Sequence, residues 1–435
     1  MATGAPTGAA VPAGPMHVDP VTTDGHALRA QQLELVVRLV GRAGAVGVQH
    51  PVPGHLAAVA GHHRADRTGG ALADVLRDVA VGHHGAARDP VDRVEYALGE
   101  RGQLAGHAGS VGRYRPGMRI LVIGGTSFVG RHFVQAALDR GHDVTLFNRG
   151  QTNPEVFPQA EHLSGDRNKD LSALAGRDFE ATVDTCGYVP RQVRTVLEAL
   201  GPRVGHYTFI STISVFPEET PEGFTEASPL REPAWDDELA MEKYGELKVA
   251  CEQVARELAG ERLLVVRPGY VVGPHDPTHR FTYWVERVAD GRAPMAAPDT
   301  AQPLQCIDAR DLAAFTLKQV EGGVVDTFDA TTPSPHLTFG QVLESIARGV
   351  GHTLPELRPV GYDARLPLSA PPSYWSLMTA DLAKSVDAGL SWRPLEQTAA
   401  DTYDWVSKAR ADNAYASRDG VGLTPADEAT LLAQR

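Results

Sequence analysis

Apolar and polar positions alternate from residue 119 onwards in the order expected for strands and helices. The stretch 119–123 ends in four consecutive apolar residues and has the length of a buried strand. Apolar side chains then recur at near-helical spacing between residues 128 and 137, and Gly141 stands where a helix would end. A second apolar run, 144–147, restarts a strand. The pattern predicts one βαβ unit of about 30 residues.

The alternation continues through the rest of the chain. Strands, each with the loop that follows it, are predicted at 162–167, 181–188, 205–212 and 263–274, and a helix at 191–200. This order is typical of an α/β fold with a Rossmann-type doubly wound parallel sheet. We assign residues 118–275 to the core that holds this sheet and 413–435 to a helical C-terminal tail. Residues 276–412 lie between them and form a small C-terminal lobe with elements that return to the sheet; by the family resemblance described below, the core binds a dinucleotide and the lobe is a substrate lobe.

Composition changes abruptly at Met118. Residues 1–117 contain no Lys, Ile, Asn, Phe, Trp or Cys. Without large apolar side chains this stretch can hardly form a dense core, although 33–40 and 71–79 have the pattern of short helices. We therefore expect residues 1–117 to be a disordered or mis-called extension, and the native protein to begin at Met118.

Charge and cysteine content narrow the class of protein. The chain has 435 residues and a formal net charge of −13; residues 1–117 hold 11 of its 41 Lys and Arg and 10 of its 54 Asp and Glu, which leaves −14 on residues 118–435. This acidic balance argues against nucleic-acid binding. Three scattered cysteines suggest a reducing compartment, and no apolar run approaches the roughly 20 residues of a membrane span. We expect a cytoplasmic protein without a metal site, since the His62-His63 and His83-His84 pairs lack a ligand scaffold.

A glycine-rich turn lies between the first predicted strand and the first helix. Gly124 lets the chain turn sharply, and Gly130 lets the helix pack closely against the strand. Backbone N–H groups and a helix N-terminus at such a turn attract an anion, each charge contact contributing about 0.3–1 kcal/mol. Ser127 can cap the helix or bond a phosphate. The predicted phosphate-binding residues are Gly124, Thr126, Ser127, Phe128, Val129 and Gly130.

This turn and its setting resemble those of the extended, epimerase-like branch of the short-chain dehydrogenase/reductase family. The family's turn usually reads Gly-x-x-Gly-x-x-Gly, whereas Ser127 replaces the middle glycine here. The replacement resembles an atypical subgroup with the pattern Gly-Gly-Thr-x-Phe-(Leu/Val)-Gly-Arg, which Arg131 also fits. Similar segments extend over residues 118–405. The resemblance implies a bound nicotinamide dinucleotide.

The end of the second predicted strand, Asn148 and Arg149, bears on the choice of cofactor. Ribose hydroxyls favour a carboxylate at this place, whereas a 2′-phosphate favours a cation. We therefore expect NADP(H), with NAD(H) as the alternative if Arg149 is only a solvated loop charge. The resemblance implies further cofactor contacts from Asp166, which lies over the adenine in the family, from its neighbour Arg167, and from the loop at Thr185.

Two polar stretches supply the candidate catalytic residues. Ser211 and Thr212 end a predicted strand, and Tyr244 and Lys248 follow four residues apart, on one face of a helix. A free tyrosine titrates near 10, so acid–base work near pH 7 requires roughly 3 units of pKa depression. By resemblance, Tyr244 moves the proton, while Lys248 lowers its pKa and bonds the nicotinamide ribose. Thr212, or else Ser211, bonds the substrate oxygen.

The substrate side departs from the family pattern. The family's sugar-nucleotide dehydratases carry Asp-Glu directly after the catalytic Thr, where this chain has Ile213-Ser214, so we do not expect a 4,6-dehydratase. In the lobe, Arg280 is a candidate anion-binding residue, and Phe281 and Trp284 are candidates for stacking on a substrate. The helical spacing of these two aromatic residues is equally consistent with a place in the core.

Three functions remain open at this point. The first is an NAD(P)-dependent oxidoreductase that transfers hydride to or from a carbonyl or alcohol carbon of a small molecule. The second is a nucleotide-sugar epimerase that retains NAD and uses the same residues. The third is RNA binding on the same fold, because the atypical subgroup resembles plant plastid stem-loop-binding proteins. The family resemblance is also consistent with a homodimer.

Overall fold

The computed structural model describes residues 117–236, 238–332, 336–412 and 420–434. The predicted N-terminal extension, up to residue 116, lies outside these ranges. No helix in the described part of the chain is long and apolar enough to cross a membrane.

A seven-stranded parallel sheet forms the centre of the described chain. Its strands are β1 (Arg119–Ile123), β2 (Asp143–Asn148), β3 (Glu161–Ser164), β4 (Ala181–Asp184), β5 (His206–Ile210), β6 (Leu263–Pro268) and β11 (Asp326–Ala330). They are ordered β11-β6-β5-β4-β1-β2-β3, and each neighbouring pair is parallel. The chain order reverses beside β1, and ligands of doubly wound sheets bind at such a reversal. The predicted fold class is confirmed.

Helices cover both faces of this sheet. The helices are α1 (Phe128–Asp139), α2 (Pro190–Leu200), α3 (Tyr244–Ala259), α4 (Arg280–Asp290), α5 (Ala309–Gly322), α6 (Phe339–Val350), α7 (Ala383–Asp387), α8 (Leu395–Ala411) and α9 (Pro425–Ala433). Helices α1 and α5 pack together on the face that receives Ile120 and Val122, and α2 and α3 pack together on the face that receives Leu121 and Ile123. Because β1 is buried on both faces, its sequence is a continuous apolar run rather than an alternating one.

A second core lies in the C-terminal part of the described chain. It joins α4, α6 and α8 with three two-stranded sheets formed by the short strands β7 (Tyr270–Val272), β8 (Met295–Ala297), β9 (Pro303–Leu304), β10 (Cys306–Asp308), β12 (Leu337–Thr338) and β13 (Leu357–Pro359). The segment 276–412 also returns α5 and β11 to the main sheet.

The final helix, α9, is an integral part of this second core. Glu428 of α9 is buried and accepts a hydrogen bond at 3.0 Å from Arg287 Nε of α4. Its carboxylate also accepts from the backbone N–H of Ala296 in β8 at 3.0 Å. The expectation of a tail is therefore corrected for residues 425–433: this helix is fixed by a buried ion pair.

Candidate active site

The glycine-rich turn after β1 is closely packed and needs glycine. Gly124 has φ +101°, and a Cβ there would lie 2.7 Å from Thr185 Oγ1. A Cβ on Gly130 would lie 2.9 Å from the backbone N of Gly125. Thr185 Oγ1 in turn donates to the carbonyl O of Ile123 at 2.9 Å, which ties the loop after β4 to the end of β1. Without Cβ atoms at positions 124 and 130, the turn presents its backbone, rather than side chains, to a ligand.

The N-terminus of α1 is open to an anion. Ser127 is exposed and its side chain makes no capping hydrogen bond, contrary to one of the two roles expected for it. The first turn of α1 carries no acidic residue. Uncapped N–H groups at a helix N-terminus beside a glycine cradle fit the pyrophosphate of a dinucleotide, so the residues present suit the cofactor that the sequence implies.

Asn148 and Arg167, which were expected to contact the cofactor, make hydrogen bonds within the protein. Asn148 Nδ2 donates to the carbonyl O of Gly124 at 2.9 Å, so this side chain braces the turn. Arg167 is buried, and its NH1 donates to Asp184 Oδ1 at 2.8 Å. The expected cofactor role of Arg167 is corrected, since its buried guanidinium is paired with Asp184. The expected role of Asn148 stays a prediction, since its half-buried side chain is held beside the turn.

Arg149 and Asp166 remain available at the same edge. Arg149 is exposed and makes no ion pair with any residue that the structure describes. Asp166 is half-buried and accepts a hydrogen bond from the backbone N–H of Asn168 at 2.9 Å. That bond is the main cause of a lowered pKa, to which the positive charge of Arg149 contributes. An anionic Asp166 and a free guanidinium therefore flank the position expected for the adenosine.

A cavity of about 290 Å³ lies at the carboxyl ends of the strands, next to this turn. Its wall combines residues from the phosphate-binding turn, the ends of β4 and β5, α3 and the lobe: Phe128, Val129, Thr185, Ser211, Thr212, Tyr244, Lys248 and Arg280 are among them. Residues expected separately for cofactor, catalysis and substrate thus meet around one space.

Tyr244 and Thr212 face each other in this cavity. The Thr212 side chain lies close enough to the Tyr244 hydroxyl to lower its pKa, and Thr212 Oγ1 accepts a hydrogen bond from the backbone N–H of Ser214 at 3.2 Å. Burial raises the pKa of Tyr244 to about 12, against the positive charge of Arg280 and the nearby Thr212 hydroxyl, which lower it. The expected depression of this pKa is therefore absent, and Tyr244 is a protonated acid at neutral pH.

Lys248 lies in the cavity wall and is held by the protein. Its Nζ donates to the carbonyl oxygens of Ile210 at 2.7 Å and Gly187 at 2.9 Å, and lies 4.2 Å from the centroid of the Phe209 ring. Arg280, and not Lys248, contributes the positive charge that lowers the pKa of Tyr244, while the expected bond from Lys248 to the nicotinamide ribose stays a prediction. Burial lowers the pKa of Lys248.

One face of α3 holds the end of β5 at three successive residues. Tyr244, Lys248 and Glu252 are spaced by four and therefore share a helix face. Tyr244 faces Thr212, Lys248 bonds the carbonyl of Ile210, and Glu252 Oε1 accepts from Ser211 Oγ at 2.6 Å. Sequence analysis missed Glu252, although its position one turn beyond Lys248 was a usable signal.

Glu252 is the centre of a buried charged network. It is fully buried, and Arg267 of β6 donates to both of its carboxylate oxygens, from Nε at 2.8 Å and NH2 at 2.7 Å. These bonds lower the pKa of Glu252 although burial opposes them. The Ser211 hydroxyl, next to Thr212, is thereby fixed by an ion pair that joins α3 to the sheet.

Asp329 of β11 adds a second, unpaired carboxyl group to this network. It is fully buried, and its carboxylate lies 3.9 Å from Arg267 NH1 without a hydrogen bond among the described residues. Burial raises its pKa to about 8, with Glu226 and Glu252 contributing negative charge. Asp329 is therefore largely protonated in the folded protein at neutral pH.

This raised pKa predicts a pH-dependent effect of Asp329→Asn on stability. Between about pH 4 and pH 8 the unfolded chain has lost the Asp329 proton whereas the folded chain keeps it, so rising pH destabilises the wild type by up to about 1.4 kcal/mol per unit. The variant, always neutral there, should gain stability relative to the wild type across this window and level off above it. Urea denaturation at pH 5, 6.5 and 8 measures this difference. Exposed Asp326→Asn on the same strand serves as control, and an equal trend in it would refute the assignment.

The three candidate substrate residues lie in two different places: one lines the cavity and two lie in the second core. Arg280 lines the cavity. Phe281 and Trp284 are fully buried in the second core, and Trp284 Nε1 donates to the carbonyl O of Pro367 at 2.7 Å. Their expected contact with substrate is corrected, because a fully buried ring cannot stack on a ligand in the cavity. Tyr188, Tyr270 and Thr278, which sequence analysis did not select, line it instead.

The sequence of this chain is similar to one protein-family model and to curated proteins. Residues 120–325 match the model of the NAD dependent epimerase/dehydratase family. The "Chloroplast stem-loop binding protein of 41 kDa b, chloroplastic" of Arabidopsis thaliana is 26% identical over 259 residues, which cover 55% of this chain and 65% of the relative. A "3 beta-hydroxysteroid dehydrogenase/Delta 5-->4-isomerase" of Mycobacterium tuberculosis is 38% identical over 72 residues, 16% of this chain and 20% of the relative. The chain thus spans less than two thirds of these curated relatives.

Solved structures share the fold. The UDP-glucuronic acid 4-epimerase of Bacillus cereus, in complex with NAD, superposes with a TM-score of 0.53 at 17% identity, over 69% of this chain and 99% of that one. At this level of identity the likeness establishes the fold alone.

Proposed function

We propose that this chain, which belongs through its residues 120–325 to the NAD dependent epimerase/dehydratase family, is an NAD(P)-dependent oxidoreductase. It transfers hydride to or from a carbonyl or alcohol carbon. One observation carries the proposal. The tip of the phosphate-binding turn and the side chains of Tyr244 and Thr212 line the same cavity of about 290 Å³.

The chain's own residues account for binding and proton transfer. The backbone at Gly124 and Gly130, with the N-terminus of α1, holds the pyrophosphate, and the bound nicotinamide supplies or accepts the hydride. Thr212 donates a hydrogen bond to the substrate oxygen. In reduction, Tyr244 gives its hydroxyl proton to that oxygen as the carbonyl becomes an alcohol, and solvent restores the proton. Arg280 stabilises the phenolate left behind.

Cofactor preference is tested by calorimetric titration of the full chain with NADPH and NADH. We propose NADP(H), because Arg149 is an exposed guanidinium without an ion-pair partner among the described residues. A lost bond between charged groups costs about 1.5–3 kcal/mol, so Arg149→Ala should weaken NADPH binding by about tenfold or more and leave NADH unchanged. Arg203→Ala, an exposed arginine before β5 and hence at the opposite edge of the sheet, is the control. Tighter NADH binding, insensitive to Arg149, would instead indicate an NAD enzyme.

An epimerase with retained NAD is the second candidate, since the family includes such enzymes and the same residues serve both reactions. The two differ in cofactor turnover. Stoichiometric consumption of added NADPH with a carbonyl substrate identifies a reductase, whereas unchanged absorbance at 340 nm with a changed sugar identifies a closed redox cycle. A 4,6-dehydratase remains disfavoured because Ile213 and Ser214 occupy the cavity wall next to Thr212.

RNA binding is a third candidate because the Arabidopsis relative is named a stem-loop binding protein. The net charge of −14 on residues 118–435 opposes it, since phosphate neutralisation needs clustered cations. Filter binding of a labelled stem-loop RNA at 50 and 200 mM salt tests this function. Binding that persists at 200 mM salt would favour it over catalysis.

A further inference from the structure

We propose that Arg280 binds an oxyanion carried by the substrate close to its reacting carbon, so that the substrates are carbonyl or alcohol compounds with a carboxylate or phosphate group. The inference rests on the proposed function, because it specifies the substrate class of the same cavity. It is carried by the way Arg280 is held, by its unused donors and by its position beside Tyr244.

A chain of hydrogen bonds through Thr278 connects Arg280 to the buried carboxylate of Asp276. Its Nε donates to Thr278 Oγ1 at 3.1 Å. Thr278 Oγ1 donates in turn to Asp276 Oδ1 at 2.7 Å, and the Thr278 backbone N–H donates to the same oxygen at 2.7 Å. Asp276 is 1% exposed. The guanidinium also lies over the ring of Tyr270, with 5.1 Å between its Cζ and the ring centroid. One edge and one face of the guanidinium are thus fixed.

The opposite edge of the guanidinium has no acceptor among the residues that the structure describes. Neither NH1 nor NH2 of Arg280 bonds any residue that the structure describes, and no carboxylate pairs with it there. Guanidinium stays charged at every physiological pH and presents paired N–H groups that match a carboxylate or phosphate. A fixed arginine with a free pair of donors in a cavity wall is arranged for bidentate binding of an oxyanion.

The other two cations of the cavity wall are already used. Arg231 Nε donates to the carbonyl O of Ser214 at 3.0 Å, and its NH1 lies 3.3 Å from Glu246 Oε1. Lys248 bonds two backbone carbonyls. Among the cavity residues that the structure describes, Arg280 is therefore the cation whose NH1 and NH2 groups remain available to a ligand.

The position of Arg280 places this anion next to the chemistry. Arg280 and Tyr244 line the same cavity, and the charge of Arg280 lowers the pKa of the Tyr244 hydroxyl against the effect of burial. An oxyanion bound at Arg280 therefore lies in the same cavity as the oxygen that Tyr244 protonates. Such a substrate carries its acidic group near the carbonyl, as in 2-oxo acids or phosphorylated ketones.

The test compares matched anionic and neutral probes on the full chain with bound cofactor. 2-Oxobutanoate and 2-butanone form the carboxylate pair, and dihydroxyacetone phosphate and dihydroxyacetone form the phosphate pair. Ligand-observed NMR gives dissociation constants without turnover. We expect at least one anionic probe to bind about tenfold tighter than its neutral partner, and the better pair to identify the source of the oxyanion.

Variants of Arg280 complete the test. Arg280→Gln should abolish the preference for the anionic probe, and Arg280→Lys should retain part of it, since lysine keeps the charge but loses the paired donors. Arg203→Gln is the matched control. Equal binding of both members of each pair, or no binding of either, by a protein that binds cofactor would overturn this inference alone. A protein that binds neither NADPH nor NADH would overturn the proposed function as well. A preference that survives in Arg280→Gln would assign the anion to another residue.

Discussion

Replacing Tyr244 with Phe should lower the rate of carbonyl reduction by about 10²–10⁴-fold and leave NADPH affinity within about twofold of the wild type. The substitution removes the only proton that the proposed mechanism delivers, and keeps the ring that fills the wall. Single-turnover absorbance at 340 nm measures the rate, and calorimetry measures the affinity. Tyr403→Phe, which removes the same hydroxyl from α8, is the control. A loss smaller than about fivefold would mean that Tyr244 is not the acid.

The raised pKa of Tyr244 also predicts opposite pH profiles for the two reaction directions. Below its pKa of about 12 the hydroxyl is protonated, so reduction should not decline between pH 6 and 9 through this group. Oxidation needs the phenolate, whose fraction rises about tenfold per pH unit in this range, and its rate should rise accordingly. A bell-shaped reduction profile centred near pH 7 would show that cofactor binding lowers this pKa strongly.

Replacing Glu252 with Gln should reduce the free energy of unfolding by about 3–5 kcal/mol, because Arg267 then retains a buried charge without its main partner. Urea denaturation measures this loss. Glu257→Gln is the matched control on the same helix: Glu257 is exposed and pairs with Arg194 at 3.0 Å, and exposed pairs contribute about 0–1 kcal/mol. We expect the lower end of the range for Glu252→Gln, since Asp329 lies 3.9 Å from Arg267 and can ionise in compensation.

The network around Glu252 has a second measurable effect. Where Glu252→Gln still folds, freeing Ser211 should loosen Thr212 and lower the rate of reduction, with the NADPH affinity preserved.

The double variant Glu252→Leu/Arg267→Met should recover stability, because replacing both members of a buried pair by apolar residues is often neutral. A stability loss below about 1 kcal/mol in the single variant would show that the pair is solvated in solution.

Local sequence patterns predict six of the seven strands of the main sheet, all except β11. The strand 119–123 is predicted with the bounds that the structure has, because its apolar run is buried on both faces and ends at a glycine turn that cannot continue a strand. The grouping of Thr212 with Tyr244 rests on the family resemblance, and the structure places both side chains in the wall of one cavity.

Other parts of the site depended on contacts between distant residues. Arg167 is paired with Asp184 at the end of β4. Lys248 bonds the carbonyls of Ile210 at the end of β5 and Gly187 in the loop after β4, and only the folded sheet brings these groups within reach. Phe281 and Trp284 lie on a helix whose rotation is set by the second core, so periodicity alone could not separate stacking from burial. No role was expected for Glu252, because its partner Arg267 lies on β6 and the two side chains meet only when α3 packs on the sheet.

Because three contacts to residues 210–212 come from one helix face, insertion of a single residue within 244–252 would turn part of that face by about 100° and dismantle the whole arrangement. The connection from β5 to α3 supplies Arg231 and Glu242 to the cavity wall, and Arg231 anchors it to Ser214 and Glu246. Residues on this connection beyond that anchor can be exchanged without moving Tyr244 relative to Thr212. Evolution can therefore reshape what the cavity admits by editing this connection, while the proton-transfer pair is inherited unchanged.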